Sequence, residues 1–293
     1  MQIRFLLFIA CMLSLLSACG PHHSEASDND TYAYTDDYNC TVQVPRRPAR
    51  VVSLSPAVTE IFFALGADSL LVGRTEFCAY PPEAAAIENI GGISNLNIEK
   101  VLSCEPDLII SGSMVPQKMV QQFAKMGVPL VCVIEKQHFD GLFENIGKIG
   151  SLIGKAERAD SLNAILRDRL SALDLTPAAH PCSVYYVVGF GSGGNFTAGG
   201  NTFINDIIEM AGGQNIARES QGWTFSVEAL LQANPDFILI RAEDSAKFTH
   251  TPPYDQLSAV REGRMIALED GILDLQVPRN IDVIQRLKER FAK

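Results

Sequence analysis

Residues 97–110 read NIEKVLSCEPDLII, and residues 226–239 read SVEALLQANPDFIL. The two stretches agree at Glu99/Glu228, Leu102/Leu231, Pro106/Pro235, Asp107/Asp236 and Ile109/Ile238. In each, Asn97 or Ser226 stands where a helix needs an N-cap, and apolar residues follow in an i, i+3, i+4 stripe: Ile98, Val101 and Leu102 in one, Val227, Leu230 and Leu231 in the other. Pro106 or Pro235 then stops the helix, and an aspartate followed by three apolar residues opens a buried strand. A helix–strand unit written twice in one chain predicts two related lobes.

The flanking sequence keeps this alternation. VVSLS (51–55) is a short β-branched run, PAVTEIFFALGA (56–67) has proline at a helix start and Gly66 at its end, and LLVGR (70–74) is a second strand. Strand, helix, strand implies a parallel pair. MVQQFAKMGVPLVCVI (119–134) adds a helix, a glycine stop and a strand, and GLFENIGKIGSLIG (141–154) adds a helix weakened by glycines. In 155–174, Ala159, Leu162, Ile165, Leu166, Leu170 and Leu173 keep helical spacing without Gly or Pro. This predicts a helix of about 20 residues, roughly 30 Å long, as the connection between halves. SVYYVVGF (183–190), TFINDIIEMAG (202–212), DFILIRA (236–242), RMIAL (264–268) and NIDVIQRLKERFA (280–292) then supply strand, helix, strand, strand and closing helix. The fold class is α/β, with two lobes and a cleft between them. The expected domains are a signal at 1–18, an anchor and tether at 19–45, an N-terminal lobe at 46–154, a linking helix at 155–174 and a C-terminal lobe at 181–293.

The chain has 293 residues, 47% hydrophobic and 20% charged, an ordinary globular composition. Its formal charge of −10 speaks against a nucleic-acid partner, since phosphate binding needs a basic field. MQIRFLLFIACMLSLLSACG, with Arg4 before an apolar run, reads as an export signal. Its Leu16-Ser17-Ala18-Cys19 resembles the bacterial lipobox, which implies lipidation of Cys19 and attachment to a membrane by acyl chains, not by a spanning helix. The acidic, aperiodic stretch from Gly20 to Asn39 reads as a flexible tether. Of the five remaining cysteines, Cys104 and Cys132 lie in apolar runs and read as small buried hydrophobes.

Catalytic chemistry finds no carrier. Gly189–Gly194 matches G-x-G-x-x-G after a strand, but about eight residues separate it from the next helix, so it reads as a loop at a cleft edge. Ser192 lacks the G-x-S-x-G frame, and no two histidines share a helical face for zinc. No enzyme, resident metal or cofactor is expected. Aromatics near strand ends are more informative, because ligands of open α/β sheets sit outside the carboxyl ends of strands. Phe77, Tyr80, Phe190, Phe196 and the only tryptophan, Trp223, lie in such places. Arg74 and Arg241 occupy matching strand-end positions, where they either clamp an anionic ligand or are solvated surface arginines.

RVVSLSPAVTEIFFALGA, VGRTEFCAYPPEA, IGGISNLNIEKVLSCEPDLII, FTAGGNTFINDIIEMAGGQNIA and GWTFSVEALLQANPDFIL, in that order, resemble the iron-complex and vitamin B12 family of periplasmic substrate-binding proteins of ABC importers. The resemblance runs from about Arg46 to the C-terminus. It implies two Rossmann-like lobes, each with a small mostly parallel sheet flanked by helices, bridged by one long helix. It also implies a cleft that changes little on binding, and delivery of a metal chelate to a permease dimer with its cytoplasmic ATPase. The site it implies is lined by some of Ser55, Phe77, Tyr80, Ser111, Phe190, Phe196, Trp223, Arg241 and Arg279. AYPPEA, Phe190 and Trp223 match the cobalamin-binding branch, whereas Ile93 and Gly112 stand where that branch has aromatics. Arg74 and Arg241 suit an anionic ferric siderophore, so corrinoid and iron chelate both stay open; haem is less favoured, because SPAVTE lacks a His or Tyr ligand. Glu99 and Glu228 resemble glutamates that pair with permease arginines. A lipid-anchored sensor or adhesin on the same fold is the alternative.

Overall fold

A computed structural model describes residues 30–93, 96–176, 179–269 and 271–292. Thr31–Thr35 (β1) and Thr41–Pro45 (β2) form a two-stranded sheet. The first lobe follows with Val51–Ser53 (β3), Pro56–Ala64 (α1), Leu71–Arg74 (β4), Ile98–Ser103 (α2), Leu108–Ser111 (β5), Lys118–Lys125 (α3), Leu130–Cys132 (β6) and Gly141–Leu152 (α4). Ala156–Ser171 (α5) leads to the second lobe. That lobe contains Cys182–Val187 (β7), Phe203–Met210 (α6), Gly213–Asn215 (β8), Val227–Ala233 (α7), Phe237–Arg241 (β9), Ala242–Thr249 (α8), Ser258–Arg261 (α9), Met265–Leu268 (β10) and Asn280–Phe291 (α10).

Each lobe has a four-stranded, wholly parallel sheet, ordered β4-β3-β5-β6 in the first and β8-β7-β9-β10 in the second. Numbered within its own lobe, each order is 2-1-3-4, and the repeated sequence supplies the helix and third strand in both. The strands β3, β5 and β6 are buried throughout, as expected of parallel strands covered on both faces. In β7 the side chains alternate: Val184 and Tyr186 join the core shared with the first lobe, while Tyr185 and Val187 face a second core with Phe248 and Tyr254.

The repeat is equivalent in detail. Asn97 Oδ1 accepts from Lys100 N–H at 3.0 Å, and Ser226 Oγ accepts from Ala229 N–H at 3.0 Å. Glu105 and Asn234, each just before the proline, both take positive φ (47° and 40°), the left-handed turn that ends a helix. Asp107 accepts from Ala49 and Arg50 N–H at 2.7 and 3.0 Å, and Asp236 accepts from Ser183 N–H at 2.7 Å. The paired aspartates therefore pin the entrance to the first strand of each lobe.

Two expectations are corrected. The tether does not extend to residue 45: residues 31–45 carry β1 and β2, and Tyr38 donates its hydroxyl to the carbonyls of Ser113 and Val115 at 3.0 and 2.9 Å. The expected signal, Cys19 and residues 20–29 of the tether lie outside the described residues. The linking helix spans 16 residues, starting one residue later and ending three residues earlier than expected, and of its expected stripe only Ala159 and Leu166 are buried, while Ile165 is 55% exposed. It is also not the only tie between lobes. Gln276 accepts from Lys136 N–H at 2.8 Å and donates to the carbonyls of Lys136 and His138; Asp206 accepts from Phe139 N–H at 2.8 Å; and Arg279 grips both oxygens of Glu60 at 2.8 and 2.9 Å. No helix among the described residues is long and apolar enough to cross a membrane.

Candidate functional site

The loops that leave the carboxyl ends of the strands build a cavity of about 320 Å³ between the lobes. From the first lobe come Leu54–Pro56 after β3, Gly112–Met114 after β5 and Ile134–Gln137 after β6, with Ile93 beside them; from the second come Thr202, Phe203, Trp223, Asp274 and Leu275. This is where parallel α/β sheets place ligands, since each strand end releases the chain into a loop that no sheet neighbour constrains. Leu54, Ile93, Met114, Ile134, Phe203, Trp223 and Leu275 make the walls largely apolar, and Met114 and Trp223 are 71% and 47% exposed.

The polar groups of the cavity differ in how far they are engaged. Asp274 accepts from Tyr186 Oη at 2.7 Å on one oxygen and from Arg241 Nε at 3.0 Å on the other. Burial, and the adjacent Asp274 carboxylate, push the Tyr186 phenol far above its usual range, so it remains a donor. Lys136 is drawn to Asp37 at 3.2 Å. Glu135 has no ion-pair partner among the described residues, and its Oε2 is shielded from solvent without a hydrogen bond. Among the described residues no group of three or more His, Cys, Asp or Glu side chains is placed to hold a metal ion.

Of the residues expected from the sequence, Ser55 and Trp223 line this cavity. Ser111 lies beneath it, fully buried, with its hydroxyl 3.0 Å from Cys132 Sγ. Phe190 packs edge-on against Phe248 and Tyr254 at centroid distances of 5.1 and 5.8 Å. Phe196 lies over Gly189 and Gly194, where an added Cβ would meet its ring, and Phe77 is exposed near Gly92. Tyr80 and Arg279 meet each other: the guanidinium lies 3.6 Å from the ring centroid and also binds Glu60 and Glu269, beside a second cavity of about 310 Å³. The supposed symmetry of Arg74 and Arg241 does not hold, because β4 is an edge strand and β9 an inner one. Arg74 donates to the carbonyls of Ala84 and Thr75, and Arg241 is held by Asp274 and Asp244. Cys104 and Cys132 are buried free thiols, and burial pushes Cys132 up to about 12.

Glu99 and Glu228 are exposed in the first turns of α2 and α7, and neither has an ion-pair partner among the described residues. Sequence reasoning passed over Met114, Glu135, Lys136, Gln137, Asp274 and Leu275. The rule that ligands gather beyond strand ends would have reached Met114 and 135–137 had it been applied to every residue type and not to aromatics alone.

The profile of a family described as periplasmic binding protein matches residues 51–271. An ABC transporter substrate-binding lipoprotein of Bacillus subtilis, itself described as uncharacterised, is 28% identical over 263 residues, covering 87% of this chain and 83% of its own. A cobalamin-binding protein of Halobacterium salinarum is 28% identical over 288 residues, covering 92% of this chain and 77% of its own. Among solved structures, the apo periplasmic haem-binding protein of Roseiflexus sp. RS-1 superposes with a TM-score of 0.72 at 29% identity, over 83% of this chain and 97% of that one.

Proposed function

The chain belongs to the periplasmic binding protein family, and on that premise we propose that it is the substrate-binding component of an ABC importer that captures a corrinoid and hands it to a permease. The observation that carries the choice of cargo is the charge state of the cleft. Lys136, the cation of the described lining, is already paired with Asp37, and Arg241 is paired with the lining residue Asp274, while the Glu135 carboxylate has no ion-pair partner among the described residues. An anionic ferric siderophore or a haem with its propionates would enter an apolar cleft facing a carboxylate and finding no free counter-charge among the described lining residues, a cost that grows as water is expelled. A corrinoid, with neutral amides around a flat macrocycle, meets apolar walls, Trp223 and hydrogen-bond acceptors. Haem also asks for an axial ligand, and the described lining offers Met114 but no His, Tyr or Cys, the more usual first ligand.

In this reading Cys19 carries the lipid that holds the protein outside the cytoplasmic membrane, and Glu99 and Glu228 are the contacts to the permease. The relative from Halobacterium named as cobalamin-binding supports the cargo, and the relative from Bacillus named as a lipoprotein supports the lipid anchor.

The test is titration of the purified protein with cyanocobalamin, haemin and a panel of ferric siderophores, followed by native mass spectrometry and by tryptophan fluorescence. A single cyanocobalamin should bind and quench Trp223, the only tryptophan of the chain. Binding of haemin or a ferric siderophore with no corrinoid complex would reject the cargo assigned here.

A further inference from the structure

We propose that Glu135 is the specificity-determining residue of the cleft: its carboxylate accepts a hydrogen bond from a carboxamide N–H of a neutral corrinoid and turns away chelates that present a carboxylate at the same place. The inference rests on the corrinoid reading above and adds to it a named residue and a rule of discrimination.

Three observations carry it. First, Glu135 is held in place from both sides. Ile134 N–H donates to Asp37 Oδ2 at 2.8 Å, and Lys136 is clamped through N–H and carbonyl by Gln276, so the backbone that carries Glu135 cannot swing it out of the cavity without breaking contacts in both lobes. Second, its carboxylate lies over Gly112. A Cβ added there would sit 3.1 Å from Glu135 Oε1 and 3.1 Å from Ser55 Oγ, so the missing side chain leaves the carboxylate and hydroxyl room to converge on the cavity floor. Third, Glu135 is the carboxylate of the lining that remains unengaged. Both oxygens of Asp274 are taken by Tyr186 and Arg241, whereas Glu135 Oε2 is buried without a partner. Oε2 is closed off from the cavity, so the oxygen that a ligand reaches is Oε1, over Gly112, and once water leaves the cleft a donor on the ligand is what satisfies it.

The donor class follows from the surroundings. A carboxylate-bearing ligand would set two anions together, and Lys136 cannot relieve them while it pairs with Asp37. A carboxamide brings two N–H donors and no charge, which satisfies Oε1 without a counter-ion.

The experiment compares the parent with Glu135→Gln and Glu135→Ala, using cyanocobalamin and cobalamin derivatives in which single propionamides are hydrolysed to carboxylates, with thermal melts to confirm that both variants fold. Glu135→Ala should weaken cyanocobalamin at least about ten-fold, and Glu135→Gln less, because it keeps an acceptor. At least one carboxylate derivative should bind the parent about ten-fold more weakly than cyanocobalamin does, and Glu135→Gln should erase most of that difference. Unchanged affinity and unchanged discrimination in both variants overturn the inference while leaving the corrinoid reading intact. A parent that binds haemin or a ferric siderophore and no corrinoid overturns both. A shift of the visible band of aquocobalamin on binding the parent that Glu135→Gln abolishes would make Glu135 a cobalt ligand and overturn its role as an amide acceptor.

Discussion

Asp37 shows what one residue in an apparently structureless stretch can do. Its carboxylate accepts from Ile134 N–H and pairs with Lys136 and Lys148, joining the turn after β1 to the loop that carries Glu135. Burial raises its pKa, but the Lys148 ammonium, the Ile134 N–H and Lys136 outweigh burial and hold the carboxyl below the usual carboxylate range. An acid whose pKa is depressed on folding stabilises the fold above its unfolded value of about 3.9, and that stabilisation fades as pH falls through the folded value. Asp37→Asn is therefore expected to lower unfolding stability by about 1 to 3 kcal/mol at pH 7, with a narrower gap to the parent at pH 3, below the unfolded value, where part of that stabilisation is already lost. Urea unfolding at the two pH values checks this, and a gap that stays as wide in acid would mean that the charge of Asp37 is not its cause. The sequence hides this role because Thr31–Thr41 has neither period nor apolar run; its order comes from partners about a hundred positions away, such as Ile134. The same reason kept Glu135 and Asp274 out of view, whereas Trp223 was readable as a lone large aromatic beside a repeat.

The repeated helix–strand element was the readable part of the fold, because everything that defines it is local: a cap, a stripe, a left-handed residue, a proline and a strand. The same locality placed α1, α6, α10 and β10 near their expected bounds. It failed for β8, whose GQN has no strand signature and is fixed by pairing with Cys182–Val184, and for α8, which follows β9 without a break. The caps give a direct test. Asn97→Ala and Ser226→Ala each remove one N-terminal acceptor and are expected to cost about 1 kcal/mol apiece. They sit in different lobes and share no hydrogen-bond partner, so the double variant should show close to the sum. Denaturant midpoints decide it, and a large cost for one with none for the other would mean that the two elements are alike in sequence only.

For the molecule as a whole, residues 32–293 form one compact unit in which the two lobes repeat the same strand order and are tied by Gln276, Asp206 and the Arg279–Glu60 pair. Burial raises the pKa of Glu60 in spite of Arg279, so the pair is better regarded as a constraint on lobe geometry than as a large source of stability. Such ties favour a cleft of fixed width. That matters for the proposed handover. A permease dimer offers two equivalent surfaces about a two-fold axis, and a single chain meets them only by presenting similar groups in similar places, a role proposed for Glu99 and Glu228 of the repeat. Both are exposed and lie in first helical turns, where a carboxylate complements the helix dipole by about 0.3 to 1 kcal/mol. Reversing both, with Glu99→Lys and Glu228→Lys, should therefore lower stability by no more than about 2 kcal/mol, leave cargo affinity unchanged, and abolish permease binding and uptake. Each single reversal should weaken docking by less than the pair, since one arm of the contact survives. Uptake assays and pull-down on permease reconstituted in vesicles give the readout. A double variant that docks and transports like the parent would remove the glutamates from the interface and leave the repeat as a record of lobe duplication alone.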